Sequence, residues 1–153
     1  MSPEVVALAA QAGFHWLCTD RGVLARSERT GGGEGPWDLG HGVVGLFRDT
    51  ELSDRIGFRY ADRPATEAAE DLAAGLVGRG TVLVALDGEN PWESYADAGG
   101  AFRAALRSVL ERGPVRPVTV DDAANGPVVG TVHHLWTGSW IGADFRIWIG
   151  HDE

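Results

Sequence analysis

Apolar residues recur along the chain at two spacings, which predict helices alternating with short strands. Amphipathic helical spacing marks three segments: residues 3–12, 66–77 and 97–112. Short apolar runs typical of buried parallel strands occur at four places: residues 14–19, 43–47, 81–86 and 115–120. A glycine-rich stretch at residues 28–42 has no periodicity and is predicted to be a loop. The order of these elements predicts an α/β fold with a mainly parallel sheet.

The run at residues 81–86 stops at two acidic residues that flank a glycine, Asp87 and Glu89. The turn signal Asn-Pro follows, and then Trp92. Acidic residues at the carboxyl end of a buried strand lie where α/β enzymes place their reacting groups. An aromatic side chain beside them offers the flat apolar surface on which sugar rings stack. The structural alternative is an aspartate that only caps the turn, but the whole stretch favours a functional site.

Charged residues also follow two other predicted strands. Asp20 ends the run at 14–19, and the run at 43–47 is followed by a second charged group, Arg48, Asp49 and Asp54. A salt-bridged loop explains the second group slightly better than contacts to sugar hydroxyls do. These positions are therefore secondary candidates for the site.

Composition narrows the classes of function. The chain has 153 residues, 44% of them hydrophobic, which is ordinary for one globular domain. Its net charge of −9 argues against a nucleic-acid or anionic-membrane partner. Because no apolar run approaches the roughly 20 residues of a membrane span, and no signal peptide opens the sequence, the predicted compartment is the cytoplasm. The single cysteine, Cys18, excludes an internal disulfide and is expected to be a buried, inert thiol.

The residues DGENPWESY closely resemble the fourth conserved region of glycoside hydrolase family 57, the retaining amylases, branching enzymes and pullulanases that act on α-glucans. Three further segments resemble the family in the same order: AAQAGFHWLCTDRGVLARS, LFRDTELSDRIGFRY and GSWI…DFRIWIGH. The resemblance implies that residues 1–153 form one domain, the second half of a (β/α)-type catalytic barrel. It also implies a chain that is truncated at both ends relative to that barrel.

The resemblance assigns roles to four residues. Asp87 corresponds to the general acid/base, and Glu89 is then a supporting or substrate-contacting carboxylate. Trp92 and Trp140 are the candidate platforms for sugar rings. The implied ligand is an α-glucan or maltooligosaccharide, with no cofactor. No metal is expected either, because the side chains of the adjacent His133 and His134 diverge and no known zinc spacing includes them.

The nucleophile of the reaction is the main difficulty. Retaining glycosidases need two carboxylates about 5–5.5 Å apart. In the family the attacking glutamate precedes the helix with which this chain begins, where only Met1 and Ser2 stand. Asp20 and Asp49 are the only reasonable local substitutes. The isolated chain is therefore expected to be inactive. Because an open arc of a barrel leaves strand edges unpaired and apolar surface exposed, we also expect self-association, a partner chain or marginal stability.

Two other classes of function stay open at this stage. One is a non-catalytic carbohydrate-binding remnant, which would retain the tryptophans and bind glucan without turnover. The other is a metal-dependent deacetylase-like hydrolase, which would need a histidine-rich ligand set. The ordered set of motifs favours the α-glucan-acting glycosidase or transferase over both.

Overall fold

The computed structural model describes residues 1–28, 33–88 and 90–149. Its strands are β1 (Trp16–Asp20), β2 (Trp37–Asp38), β3 (Val44–Arg48) and β4 (Gly130–Thr131). Its helices are α1 (Pro3–Gln11), α2 (Arg21–Ser27), α3 (Thr50–Phe58), α4 (Ala65–Ala74), α5 (Gly100–Arg112), α6 (Val120–Ala124) and α7 (Arg146–Ile149), with a 3-10 turn at Asn90–Trp92. Two compact units divide these elements: unit 1 comprises Met1–Arg48, Gly80–Leu83 and the chain from Thr119 onward, and unit 2 comprises Asp49–Arg79 and Val84–Val118.

Unit 1 contains a four-stranded sheet in the order β1-β3-β2-β4. β1 and β3 pair in parallel from Trp16 opposite Val44 to Asp20 opposite Arg48. β2 is antiparallel to β3 and parallel to β4. Two of the three pairings are therefore parallel, which confirms the predicted α/β class with a mainly parallel sheet.

The core of unit 1 joins α1 and α2 to this sheet. Its buried side chains are Val6, Leu24, Trp37, Leu39, Val43 and Val132. Gly130 permits close contact with the indole of Trp37, because a Cβ atom added at Gly130 would lie 2.6 Å from that ring. Trp37 and Gly130 also pair as neighbours of β2 and β4. The predicted loop at residues 28–42 thus contains a strand that is too short to show any periodicity.

The core of unit 2 contains a cluster of three buried aromatic side chains. The rings of Tyr60 and Tyr95 lie 5.7 and 6.1 Å from the ring of Phe102. The Tyr95 hydroxyl donates a hydrogen bond to the backbone oxygen of Ile56 at 2.6 Å. α4 packs against α5 and contributes buried alanines to this core. The predicted helices at 66–77 and 97–112 are confirmed as α4 and α5, with ends shifted by a few residues.

The predicted strand at residues 115–120 is wrong. The chain there has no regular element until α6 begins at Val120, and Val118 is 47% exposed. Pro117 has no backbone N–H to give to a sheet, which disfavours the interior of a strand. Thr119 instead begins α6 through a capping box with Asp122, whose backbone N–H lies 3.1 Å from the Thr119 hydroxyl oxygen.

The predicted buried strand at residues 81–86 is also wrong. Its only described pairing is a single parallel bridge between Leu83 and Arg48, and its residues from Val82 to Leu86 are half-buried. β2 already pairs with Val44 and Gly45 of β3, so much of the free edge of β3 is occupied. An apolar run therefore becomes an extended segment that is held by other contacts.

Cys18 is exposed, contrary to the expectation of a buried thiol. Successive side chains of a strand point to opposite faces, and Leu17 is the one that packs against the core of unit 1. Desolvation by the surrounding protein still raises the pKa of the Cys18 thiol. Within the described part of the chain no helix is long and apolar enough to cross a membrane.

A polar network connects α3 and α4 within unit 2. The Tyr60 hydroxyl donates to the Asp71 carboxylate, and the Arg55 guanidinium lies 3.0 Å from the same carboxylate. The hydrogen bond from Tyr60 lowers the pKa of Asp71, and Arg55 acts in the same direction. Burial and this hydrogen bond raise the pKa of Tyr60 to about 12.

This network predicts that the free energy of unfolding decreases both at acid and at alkaline pH. Tyr60→Phe should lower the free energy of unfolding by about 1 kcal/mol at pH 7. Because the folded pKa of Asp71 is lowered, its contribution is present above the unfolded pKa and is lost as the pH falls through the folded one. Because the folded pKa of Tyr60 is raised, its contribution is present below pH 10 and is lost as the pH rises towards 12. Urea unfolding across this range measures both effects.

Tyr95→Phe is the matched control, since the Tyr95 hydroxyl bonds to a backbone carbonyl that does not titrate. It should destabilise the protein by a similar amount at pH 7, and that loss should persist at acid pH. If the loss of unfolding free energy caused by Tyr60→Phe persists at acid pH as fully as the loss caused by Tyr95→Phe, the role of the Tyr60–Asp71 bond is refuted.

Candidate functional site

Asp87 is exposed and lies in unit 2, at the end of the extended segment that includes residues 84–87. No buried strand precedes it, because residues 82–86 form a half-buried extended segment. Glu89, the second acid of the motif, lies outside the described residues.

Three neighbours fix the position of Trp92. Its half-buried ring lies 5.7 Å from the ring of Tyr95, and the Arg103 guanidinium lies over it at 4.8 Å from the ring centroid. Gly99 makes the third contact, because a Cβ atom there would lie only 2.4 Å from the indole. Trp92 and Asp87 belong to the same unit.

Trp140 belongs to unit 1, and its side chain is 41% exposed. The guanidinium of Arg48 lies 5.7 Å from its ring centroid. Arg48 is itself held by Asp20 through an ion pair of 3.2 Å, in which both side chains are largely buried. The indole of Trp140 thus contacts a guanidinium whose position is held by an ion pair, while much of the ring remains exposed to solvent.

Two further tryptophans of unit 1 were not assigned by the sequence reasoning. Trp136 and Trp148 are 42% and 57% exposed. Their ring N–H groups donate to the backbone oxygen of Ala143 at 2.7 Å and to the hydroxyl of Ser139 at 3.0 Å. Four of the six tryptophans lie in the second half of the sequence, and only this enrichment indicated them.

Asp20 and Asp49 have structural roles at the ends of β1 and β3. Asp20 is 5% exposed and accepts the Gly22 N–H at 2.8 Å, which caps α2. Asp49 is 4% exposed and accepts the Leu52 N–H at 2.9 Å, which caps α3. Each also pairs with an arginine, Asp20 with Arg48 as described above and Asp49 with Arg79 at 2.6 Å. The ion pairs predicted for Arg48 and Asp49 are therefore present, but the residues that follow form α3 and not a loop.

His133 and His134 are both exposed. The backbone N–H of His133 donates to the Glu28 carboxylate at 3.2 Å. Among the described residues no three histidine, cysteine, aspartate or glutamate side chains form a group suited to a metal ion.

The contact between Gly99 and Trp92 yields a prediction about the platform. Gly99 has φ +75°, so Gly99→Ala combines backbone strain with a clash against the indole. We expect a loss of more than about 2 kcal/mol in the free energy of unfolding, together with a changed near-ultraviolet circular dichroism signal from the displaced Trp92.

Gly78→Ala is the matched control. Gly78 has φ +76°, and a Cβ atom there meets nothing within 4 Å. The substitution should lower the free energy of unfolding only by the backbone cost of about 1–2 kcal/mol. The near-ultraviolet circular dichroism signal should be unchanged. Equal losses and equal spectra for the two variants would show that Gly99 does not define the position of Trp92.

Comparison with known protein families agrees with the motifs. The model of Glycosyl hydrolase family 57 matches residues 1–133, which include Asp87 and Trp92. Trp140 lies beyond the matched residues, so its assignment depends on the local motif alone. The match covers well over half of the 153-residue chain, and the protein therefore belongs to glycosyl hydrolase family 57.

Proposed function

We propose that this chain carries the acid/base part of a retaining site that hydrolyses or transfers α-glucans. The family match carries the proposal, because glycosyl hydrolases of this family act on carbohydrates and the matched residues include the DGENPW motif. Asp87 is the proposed general acid/base, and Glu89 the proposed supporting carboxylate. We also propose that residues 1–153 form a single domain that is part of a (β/α) barrel, as in other members of the family.

The exposure of Asp87 supports this role. A general acid must reach the leaving oxygen of a bulky polysaccharide, and afterwards it must reach a water molecule. An exposed aspartate just before a turn satisfies both requirements of access.

Trp92 and Trp140 are the proposed sugar platforms. Each has a ring that is held by a guanidinium, Trp92 by Arg103 and Trp140 by Arg48. A ring held in place loses little rotamer freedom when a ligand binds, which favours affinity. Trp140 is the better candidate because of its greater exposure.

Neither Asp20 nor Asp49 is the proposed nucleophile. Both carboxylates are nearly buried, and each already accepts a capping N–H and pairs with an arginine. Attack on an anomeric carbon would break those contacts and remove the cap from the first turn of the helix that follows. The 153-residue polypeptide is therefore proposed to bind glucan without turning it over.

Self-association is proposed to involve the edge of the sheet at β1. β1 is terminal in the strand order, and Phe14 just before it is 61% exposed, as are large parts of Leu8 and Val5 on α1. Exposed strand edges and apolar surface favour association with another chain.

A paired assay on maltoheptaose tests the main proposal. Calorimetry measures binding by the 153-residue chain, and chromatography of the same mixture measures product release. We expect binding without product. Trp140→Ala should weaken the binding severalfold through loss of the stacking surface.

Trp136→Ala is the matched control for Trp140, because the two side chains have nearly equal exposure and Trp136 also lies against a guanidinium, that of Arg26 at 5.4 Å. It should leave the affinity unchanged. Product release that Asp87→Asn abolishes would confirm the acid/base and refute our exclusion of a local nucleophile. Absence of binding would refute the glucan proposal.

A further inference from the structure

The hydroxyl group of Ser53 connects α3 to the segment that carries Asp87. Ser53 has no exposed surface. Its hydroxyl donates to the backbone oxygen of Asp49 at 2.7 Å and accepts the backbone N–H of Ala85 at 3.2 Å. Both bonds lie within unit 2. A buried side chain of α3 therefore holds the main chain two residues before the proposed general acid/base.

The segment around Ala85 depends on such contacts because it is not part of a regular strand. Its described bridge to the sheet is at Leu83, and residues 84–87 belong to no helix or strand. In a sheet, successive ladder hydrogen bonds would fix the direction of each side chain. Here the hydrogen bond from Ala85 to Ser53 replaces one rung of such a ladder.

The start of α3 gives Ser53 a fixed position. The Asp49 side chain caps the helix and pairs with Arg79 at 2.6 Å, and the Asp49 backbone oxygen accepts a hydrogen bond from the Ser53 hydroxyl. Since that proton is committed, the lone pairs of the hydroxyl oxygen are left to accept from Ala85. The cap, the hydroxyl and the extended segment thus form one chain of hydrogen bonds.

We infer that Ser53 is a positioning residue for Asp87, an inference that rests on the function proposed above for Asp87. The hydroxyl acts through the backbone and does not touch the substrate. By restricting the main chain at Ala85 it limits the directions in which the exposed carboxylate two residues later can point. A carboxylate that is displaced by about 1 Å loses much of its catalytic value, so an acid on an otherwise irregular segment gains from such an anchor.

The test compares Ser53→Ala with Ser27→Ala in the isotope-labelled 153-residue chain. Ser27 makes the same pair of bonds in unit 1, donating to the backbone oxygen of Val23 and accepting the backbone N–H of Trp136, both at 2.8 Å. It therefore controls for the loss of a helix serine that holds a distant backbone N–H. Ser53→Cys, which retains the volume and a weak acceptor, replaces Ser53→Ala if the alanine variant does not fold.

Ser53→Ala is expected to speed amide hydrogen exchange at Ala85 about tenfold and to shift the carboxyl carbon resonance of Asp87. Ser27→Ala should change neither signal. A purely structural role would lower the unfolding midpoint of both variants and leave the Asp87 resonance in place. Unchanged exchange at Ala85, or an unchanged Asp87 resonance, would overturn the inference.

Maltoheptaose separates this inference from the proposed function. If the wild-type chain binds the sugar, Ser53→Ala should weaken the binding severalfold, and unchanged affinity overturns the inference. If the wild-type chain does not bind it, the glucan proposal fails, while the magnetic resonance signals still decide whether Ser53 positions Asp87.

Discussion

The parallel pairing of β1 with β3 is the constraint on which unit 1 depends. It places Asp20 directly opposite Arg48, where their side chains form a largely buried ion pair. Removing one partner of a buried pair leaves an uncompensated charge and costs about 3–5 kcal/mol. The same arginine supports the ring of Trp140, so the register of two strands also determines the position of a candidate sugar platform.

The acidic residues that follow the apolar runs of this sequence lie in two different environments. Asp20 and Asp49 are buried, and each begins the helix that follows its strand. Asp87 is exposed and caps no described helix of regular α type. Position after an apolar run is therefore insufficient to identify a catalytic acid. Burial and the capping of a helix identify Asp20 and Asp49 as structural carboxylates, whereas Asp87 is exposed.

Long periodic segments were predictable because their local signals agree. Ser2 and Pro3 cap and begin α1, and α5 shows a regular apolar spacing that ends at Gly113. α2 and α3 were missed because the first is short and the second begins in a dense run of charges. The charges of α3 are the caps and ion pairs of the helix itself, so a run that resembled a loop is an ordered element.

The sequence by itself determined the family, the α/β class and the identity of the DGENPW motif, since all three depend on residues that are adjacent or periodic along the chain. Only the tertiary structure decided which acids are buried and how the motif is held. The partners of Asp20 and Asp49 lie 28 and 30 residues away, and the hydroxyl that holds Ala85 lies 32 residues away. Such pairings follow from the packing of distant segments, which no local pattern encodes. For the same reason an apolar run became an extended segment instead of a strand, because the edge of β3 that it would have joined is shared with β2.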